Sequence, residues 1–132
     1  MIFCDTSVLV GLLSKRDRRH EESRAAIAAV NSQCVTTWPC ITETMHLLPT
    51  YAAQEALRML LESGFLAVLT PDAGELVRTC ELMRQYADAP MDFADASLVA
   101  AAEQHKVTRI LTFDSHFFAY RVHGSIPFEV LP

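Results

Sequence analysis

The sequence predicts an α/β fold: a doubly wound parallel sheet covered by helices on both faces. Two observations carry this. Short apolar runs of strand length alternate with helical segments along the chain, and strands buried on both faces read as near-continuous apolar runs. No linker composition and no internal repeat interrupts the 132 residues, so a single domain over residues 1–132 is expected.

Ile2-Phe3-Cys4 is the first apolar run and ends at Asp5. Thr6 and Ser7 offer hydroxyl caps to a helix from Val8, in which Val8, Leu9, Leu12 and Leu13 recur at helical spacing. A charged stretch, 15–22, leads into a second helix with Ala25, Ala26, Ile27, Ala29 and Val30 on its apolar side. Cys34-Val35-Thr36-Thr37 reads as a strand from its β-branched residues, and Pro39 suits the first turn of a helix to about Leu48. A helix over about 52–62 stops at Gly64, and 65–70 reads as a buried strand. Pro71-Asp72 starts a helix reaching Tyr86, and Asp88-Ala89-Pro90 forms a loop. Asp92 opens an Ala-rich helix to about His105, 109–113 is a strand ending at Asp114, and 128–131 is the last strand.

Composition narrows the function classes. Sixteen acids against eleven bases, a net charge of −5, argue against a protein held on nucleic acid or a membrane surface by charge alone. They leave room for an enzyme whose acids gather around a cation. Cys4, Cys34, Cys40 and Cys80 show no C-x-x-C spacing and each lies among apolar residues, so reduced core thiols are expected. The opening Met-Ile-Phe-Cys-Asp has no basic leader pattern, and no apolar run approaches the ~20 residues of a membrane span, so a cytoplasmic protein without membrane contact is expected.

The placement of the acids says more. Ligands of open α/β sheets bind beyond the carboxyl ends of the strands, where Asp5 and Asp114 fall. Asp95 sits inside the apolar Ala94–Ala100 stretch with little to compensate its charge, and Glu43 lies near the start of the helix after the second strand. All four carboxylates are expected to meet at one cleft. Carboxylates gathered together repel unless a cation joins them, and a hard divalent ion, Mg²⁺ or Mn²⁺, is the natural occupant of an all-oxygen site. Such a site hydrolyses phosphodiesters. Singly, Asp5 and Asp114 read as turn caps and Glu43 as a solvated helix residue; the joint arrangement favours the metal site.

Asp92 reads first as a helix N-cap, with Asp95 three residues on completing a capping pattern, and second as a support of the metal site. The basic run 15–19 reads as a solvated turn, with contact to RNA phosphates the second reading. No histidine falls in a catalytic or metal-ligand pattern, and His116 alone is near the expected site, as surface decoration. Trp38, Phe117 and Phe118 are expected in the core or an interface rather than as base-stacking platforms.

Four segments in order, Asp5-Thr6-Ser7-Val8-Leu9-Val10, Thr42-Glu43, Asp92-Phe93-Ala94-Asp95-Ala96-Ser97-Leu98-Val99-Ala100 and Leu111-Thr112-Phe113-Asp114, resemble the acidic motifs of the PIN domain. Length and spacing resemble the single-domain VapC-like toxins, and the resemblance spans essentially the whole chain. It implies a three-layer α/β/α PIN fold and Mg²⁺- or Mn²⁺-dependent endoribonuclease activity on single-stranded or structured RNA. It implies a catalytic set of Asp5, Glu43, Asp95 and Asp114, with Asp5, Asp95 and Asp114 on the metal, and Thr6 and Ser7 hydrogen-bonding around them. A homodimer and a small inhibitory antitoxin are further implications. The competing readings are an RNA-processing PIN nuclease that is not a toxin, and a non-catalytic module binding RNA or protein. A dehalogenase-like phosphatase is disfavoured because Ser7 stands where its second acid belongs, and a receiver because Lys15 and Lys106 fall in the wrong places.

Overall fold

Side chains point alternately to the two faces of a strand, and in this protein both faces are buried. The computed structural model describes all residues 1–132. Strands β1 (Ile2–Cys4), β2 (Cys34–Thr37), β3 (Leu66–Leu69), β4 (Arg109–Leu111) and β7 (Glu129–Leu131) form a five-stranded sheet in the order β3-β2-β1-β4-β7. Every pairing is parallel, with Ile2 opposite Cys34 and Phe3 opposite Ile110. Phe3, Val35 and Ile110 enter one core; Ile2, Cys4, Cys34 and Leu111 enter the other. The expected α/β architecture is the observed one.

Seven-residue apolar stripes are not needed to place the helices, because the sheet faces dictate them. Helices α1 (Thr6–Leu13), α2 (His20–Ala29), α3 (Trp38–Leu47) and α4 (Tyr51–Glu62) lie between the first three strands. Val8, Leu9, Ile41 and Leu57 pack into the core shared with Ile2 and Cys4. The other core holds residues of α5 (Ala73–Gln85) and α6 (Phe93–His105). Ala94 to Glu103 is buried throughout, and its alanines let α6 lie close to its neighbours. Gly64, at φ +77°, follows α4 in the left-handed conformation that suits glycine, ending the helix as expected.

Several local expectations are corrected. The first helix starts at Thr6 rather than Val8, with Asp5 at the N-cap position, so Thr6 and Ser7 are its opening residues and not its caps. Cys4, Cys34 and Cys40 are buried thiols, but Cys80 is exposed on α5. Phe117 is fully buried as expected for a core residue, while Trp38 at 55% exposed and Phe118 at 66% leave only the interface half of that expectation open. A hairpin of β5 (Arg121–Val122) and β6 (Ile126–Pro127) precedes the last strand, which is Glu129–Leu131 rather than 128–131. Two-residue strands leave no alternation to read. No helix is long and apolar enough to cross a membrane.

Candidate active site

The sheet order reverses at β1: the chain winds outward through β2 and β3, then returns to place β4 on the other side. Ligand clefts form at such switch points, beyond the carboxyl ends of the strands. Asp5 leaves β1 there, with its N–H still bonded to the Leu111 carbonyl at 3.0 Å. Thr112, Phe113 and Asp114 leave β4 beside it, and Thr112 N–H continues the ladder to Leu131 at 2.8 Å.

Asp5 occupies an N-cap position, yet its carboxylate does not cap α1. Its Oδ2 accepts instead from Thr112 Oγ1 at 2.7 Å and Ser7 Oγ at 2.9 Å. The same hydroxyls take backbone protons in turn: Phe113 N–H donates to Ser7 Oγ at 3.0 Å and Asp114 N–H to Thr112 Oγ1 at 2.9 Å. Ser7 and Thr112 thus lock the end of β1 to the end of β4. Thr6 departs from the expected role, since its hydroxyl turns to the Cys40 carbonyl at 3.5 Å.

Asp95 lies in the first turn of α6, 8% exposed. Asp92 caps that helix: its Oδ1 accepts Asp95 N–H at 2.8 Å, and Asp95 Oδ2 accepts Asp92 N–H at 3.4 Å, completing a capping box. Tyr120 donates its hydroxyl to Asp95 Oδ2 at 3.3 Å. No lysine or arginine pairs with Asp5 or Asp95. Burial raises the Asp5 carboxyl above the usual carboxylate range against the bonds from Thr112 and Ser7, and Asp114 adds to the rise. Burial, followed by the charges of Asp92 and Asp5, pushes Asp95 up to about 7. Burial and the Asp95 charge raise the Tyr120 hydroxyl as well.

Asp5, Asp92, Asp95 and Asp114 therefore share one electrostatic field. Asp114 is half-buried, and its Oδ1 accepts from His116 Nδ1 at 2.7 Å and His116 N–H at 2.9 Å, so His116 touches the site more closely than decoration implies. Glu43 meets this set at Asp92: the two line an open groove of about 640 Å³ with Trp38, His46 and Phe93. Two residues of the site carry no reading in the sequence. Thr112 had only its position before Asp114 as a signal, and Tyr120 had none.

As the side chains stand, no three carboxylates, imidazoles or thiols are close enough together to form a ready-made metal cage. The donor set nevertheless fits a hard cation. Mg²⁺ keeps several waters and is held by one or two carboxylates, and Asp5 and Asp95 are buried acids without a cationic partner. The thiols offer no alternative, since Cys40 is pushed up to about 12 and Cys4 is raised as well, both with burial and the Asp5 charge among the causes.

Comparisons with known proteins agree with this fold. The family model of the PIN domain matches residues 2–122. No curated protein sequence matches the chain. Among solved structures, the chain is similar to Mycobacterium tuberculosis VapC20, described as a sarcin-ricin loop cleaving toxin, with 23% identity and a TM-score of 0.85 over 96% of this chain and 100% of that one. It is also similar to a toxin–antitoxin complex from Klebsiella pneumoniae, with 21% identity and a TM-score of 0.72 over 100% of this chain and 97% of that one. With its five-stranded parallel sheet, and a family match covering all but the last strands, the chain belongs to the PIN domain family.

Proposed function

We propose that this protein is a divalent-metal-dependent endoribonuclease, the toxin of a toxin–antitoxin pair. The observation that carries the reading is the pair of buried, uncompensated carboxylates Asp5 and Asp95 at the switch point of the sheet. The likeness to a sarcin-ricin loop cleaving toxin supports RNA as the substrate. Asp5 and Asp95 would hold the ion with Asp114 beside them, Glu43 would act from the margin of the groove, and Asp92 would support Asp95 as its cap. A Mg²⁺ or Mn²⁺ ion held by Asp5 and Asp95 would polarise a phosphodiester and make a water molecule more acidic. Ser7 and Thr112 favour the ionised form of Asp5 against its burial and aim its carboxylate, and Tyr120 donates to one oxygen of Asp95.

Cleavage of a pool of cellular RNAs with added Mn²⁺, followed by end-group analysis, tests this. Products with 5′-phosphate and 3′-hydroxyl ends are expected, since water rather than a ribose 2′-hydroxyl attacks. Metal-independent cleavage or cyclic-phosphate ends would overturn the mechanism. Calorimetric titration of Mn²⁺ should show binding to the wild type and none to Asp5→Asn; equal affinities would remove the site.

The toxin–antitoxin complex among the structural relatives supports a small protein inhibitor as partner. A neighbouring reading frame whose product binds this chain and stops cleavage is the expected finding; its lack would favour an RNA-processing role. A homodimer is part of the same reading, supported by the exposed apolar side chains Trp38, Leu76, Val77 and Phe93, which remain open to water in the single chain. Light scattering should give twice the mass of one chain, and a monomer across a wide concentration range would exclude the dimer.

A further inference from the structure

The turn between α1 and α2 borders an open cavity of about 330 Å³ beside the carboxylate site. It is lined by Thr6, Ser7 and Asp114 together with Asp17, Arg18 and Arg19 of the turn. Arg19 is not loose: its guanidinium carbon lies 4.5 Å from the centre of the Phe113 ring, the residue immediately before Asp114. Phe113 is itself tied to Ser7 through its N–H, so the guanidinium is mounted on the same lock that orders Asp5. The turn is fixed from below by Asp17, whose Oδ1 accepts Arg19 N–H at 2.8 Å. Asp17 is thereby occupied with the backbone, and no ion pair forms at Arg18. The one ion pair of Arg19 is with Glu22 at 3.4 Å, an exposed pair of the kind worth little in water.

In a chain of net charge −5, one guanidinium held on Phe113 and a second, exposed one beside it at an acidic cleft call for a polyanion. A phosphate drawn to the carboxylate site brings its neighbours along the strand, and those neighbours need positive partners that the acids do not supply. We infer that Arg18 and Arg19 form a backbone-phosphate subsite of the RNA, holding a phosphate next to the scissile one. The inference rests on the ribonuclease reading above and deepens it. Planar guanidinium forks suit phosphate oxygens, and stacking on Phe113 keeps the Arg19 fork in place before the strand arrives. Contacts of this kind position a strand without reading its bases, so the subsite contributes affinity and register rather than sequence choice.

The test is fluorescence anisotropy with a fluorescein-labelled single-stranded oligouridine, in EDTA so that the strand stays whole, at several salt concentrations. Arg19→Gln and Arg18→Gln should each weaken binding by roughly threefold to fivefold and flatten the dependence of log affinity on log salt by about 0.7. An oligoadenosine should lose the same factor. Arg84→Gln, an exposed arginine on the last turn of α5, should change neither quantity. Arg19→Lys should keep the salt slope and lose part of the affinity, because the charge remains but the stacked fork does not. In cleavage assays with Mn²⁺, Arg19→Gln should raise KM with kcat near the wild-type value. Wild-type affinity and slope in both glutamine variants would overturn the subsite while leaving cleavage, and so the ribonuclease reading, intact; if inhibitor binding fell instead, the turn would serve a protein partner. A wild type that binds through these arginines yet cuts nothing would fail the ribonuclease reading alone.

Discussion

Helix α6 carries two hidden carboxylates, Asp95 in its first turn and Glu103 near its last, and they are treated in opposite ways. Glu103 takes Arg78 Nε at 2.8 Å, Arg78 Nη2 at 3.0 Å and His123 N–H at 3.0 Å. Burial pushes its carboxyl up, but the Arg78 hydrogen bonds and the His123 N–H outweigh it and hold it below the usual glutamate range. Asp95, by contrast, has acids for neighbours and is pushed up to about 7, first by burial and then by Asp92 and Asp5. Both sites desolvate a carboxylate; one supplies the counter-charge from its own chain and the other does not. A fold able to build an Arg–Glu fork about two turns away has no chemical need to leave Asp95 unpaired. On the proposed reading the missing charge comes from a ligand, which makes the start of α6 the functional end of the helix and its other end the structural one.

Neutralising each acid should separate these roles. Asp95→Asn should lower cleavage at least about 10²–10³-fold, the scale of losing one electrostatic stabiliser of a transition state. Its melting temperature in EDTA should equal or exceed the wild type, because the substitution relieves repulsion among the acids. Full activity, or a marked loss of stability, would break the contrast. Glu103→Gln should do the reverse: activity per folded molecule unchanged, and stability lower by roughly 1–3 kcal/mol, since Arg78 and the His123 N–H lose their charged acceptor. Thermal denaturation would register this as a fall of several degrees.

The pH dependence sharpens the second case. Glu103 titrates lower in the folded protein than its ordinary 4.5, so the stability it contributes is present above that range and is lost as pH falls through its folded value. The melting-temperature gap between wild type and Glu103→Gln should be widest near neutral pH and close on acidification. A gap that stayed constant to acid pH would mean that packing, not the charge, made the difference.

How much of this was legible follows from what each feature depends on. β1, β4 and the acids behind them depend on short apolar runs and their ends, which the sequence displays directly, and so does the cap at Asp92. The choice between Thr6 and Ser7 does not: adjacent helical residues point about 100° apart, so only one reaches Asp5, and the sequence does not say which. Tyr120 bonds Asp95 across 25 residues through the turn Ser115–Phe118, a distance with no local pattern. Glu43 shows the same limit, since the groove it shares with Asp92 joins α3 to the start of α6, which no local pattern announces. Arg19 on Phe113 joins two segments that only the closed fold brings together.

The smallest effect belongs to Asp92, which shares the first turn with Asp95 and tests where the functional region begins. Its Oδ1 accepts the Asp95 N–H at 2.8 Å while the rest of the residue stays exposed. Asparagine offers the same acceptor, so Asp92→Asn should leave stability within about 0.5 kcal/mol, whereas Asp92→Ala should cost about 1 kcal/mol through the lost cap. The charge is a separate matter, because Asp92 is the second cause, after burial, of the raised Asp95 carboxyl. Removing it should make Asp95 ionise more readily, and cleavage by Asp92→Asn should stay within a few-fold of wild type while Asp95→Asn is inactive. Paired melts and cleavage rates on the three variants decide this. If Asp92→Asn cuts RNA as poorly as Asp95→Asn at unchanged stability, Asp92 acts on the metal and not only on the helix, and the unpaired region of α6 extends across its whole first turn.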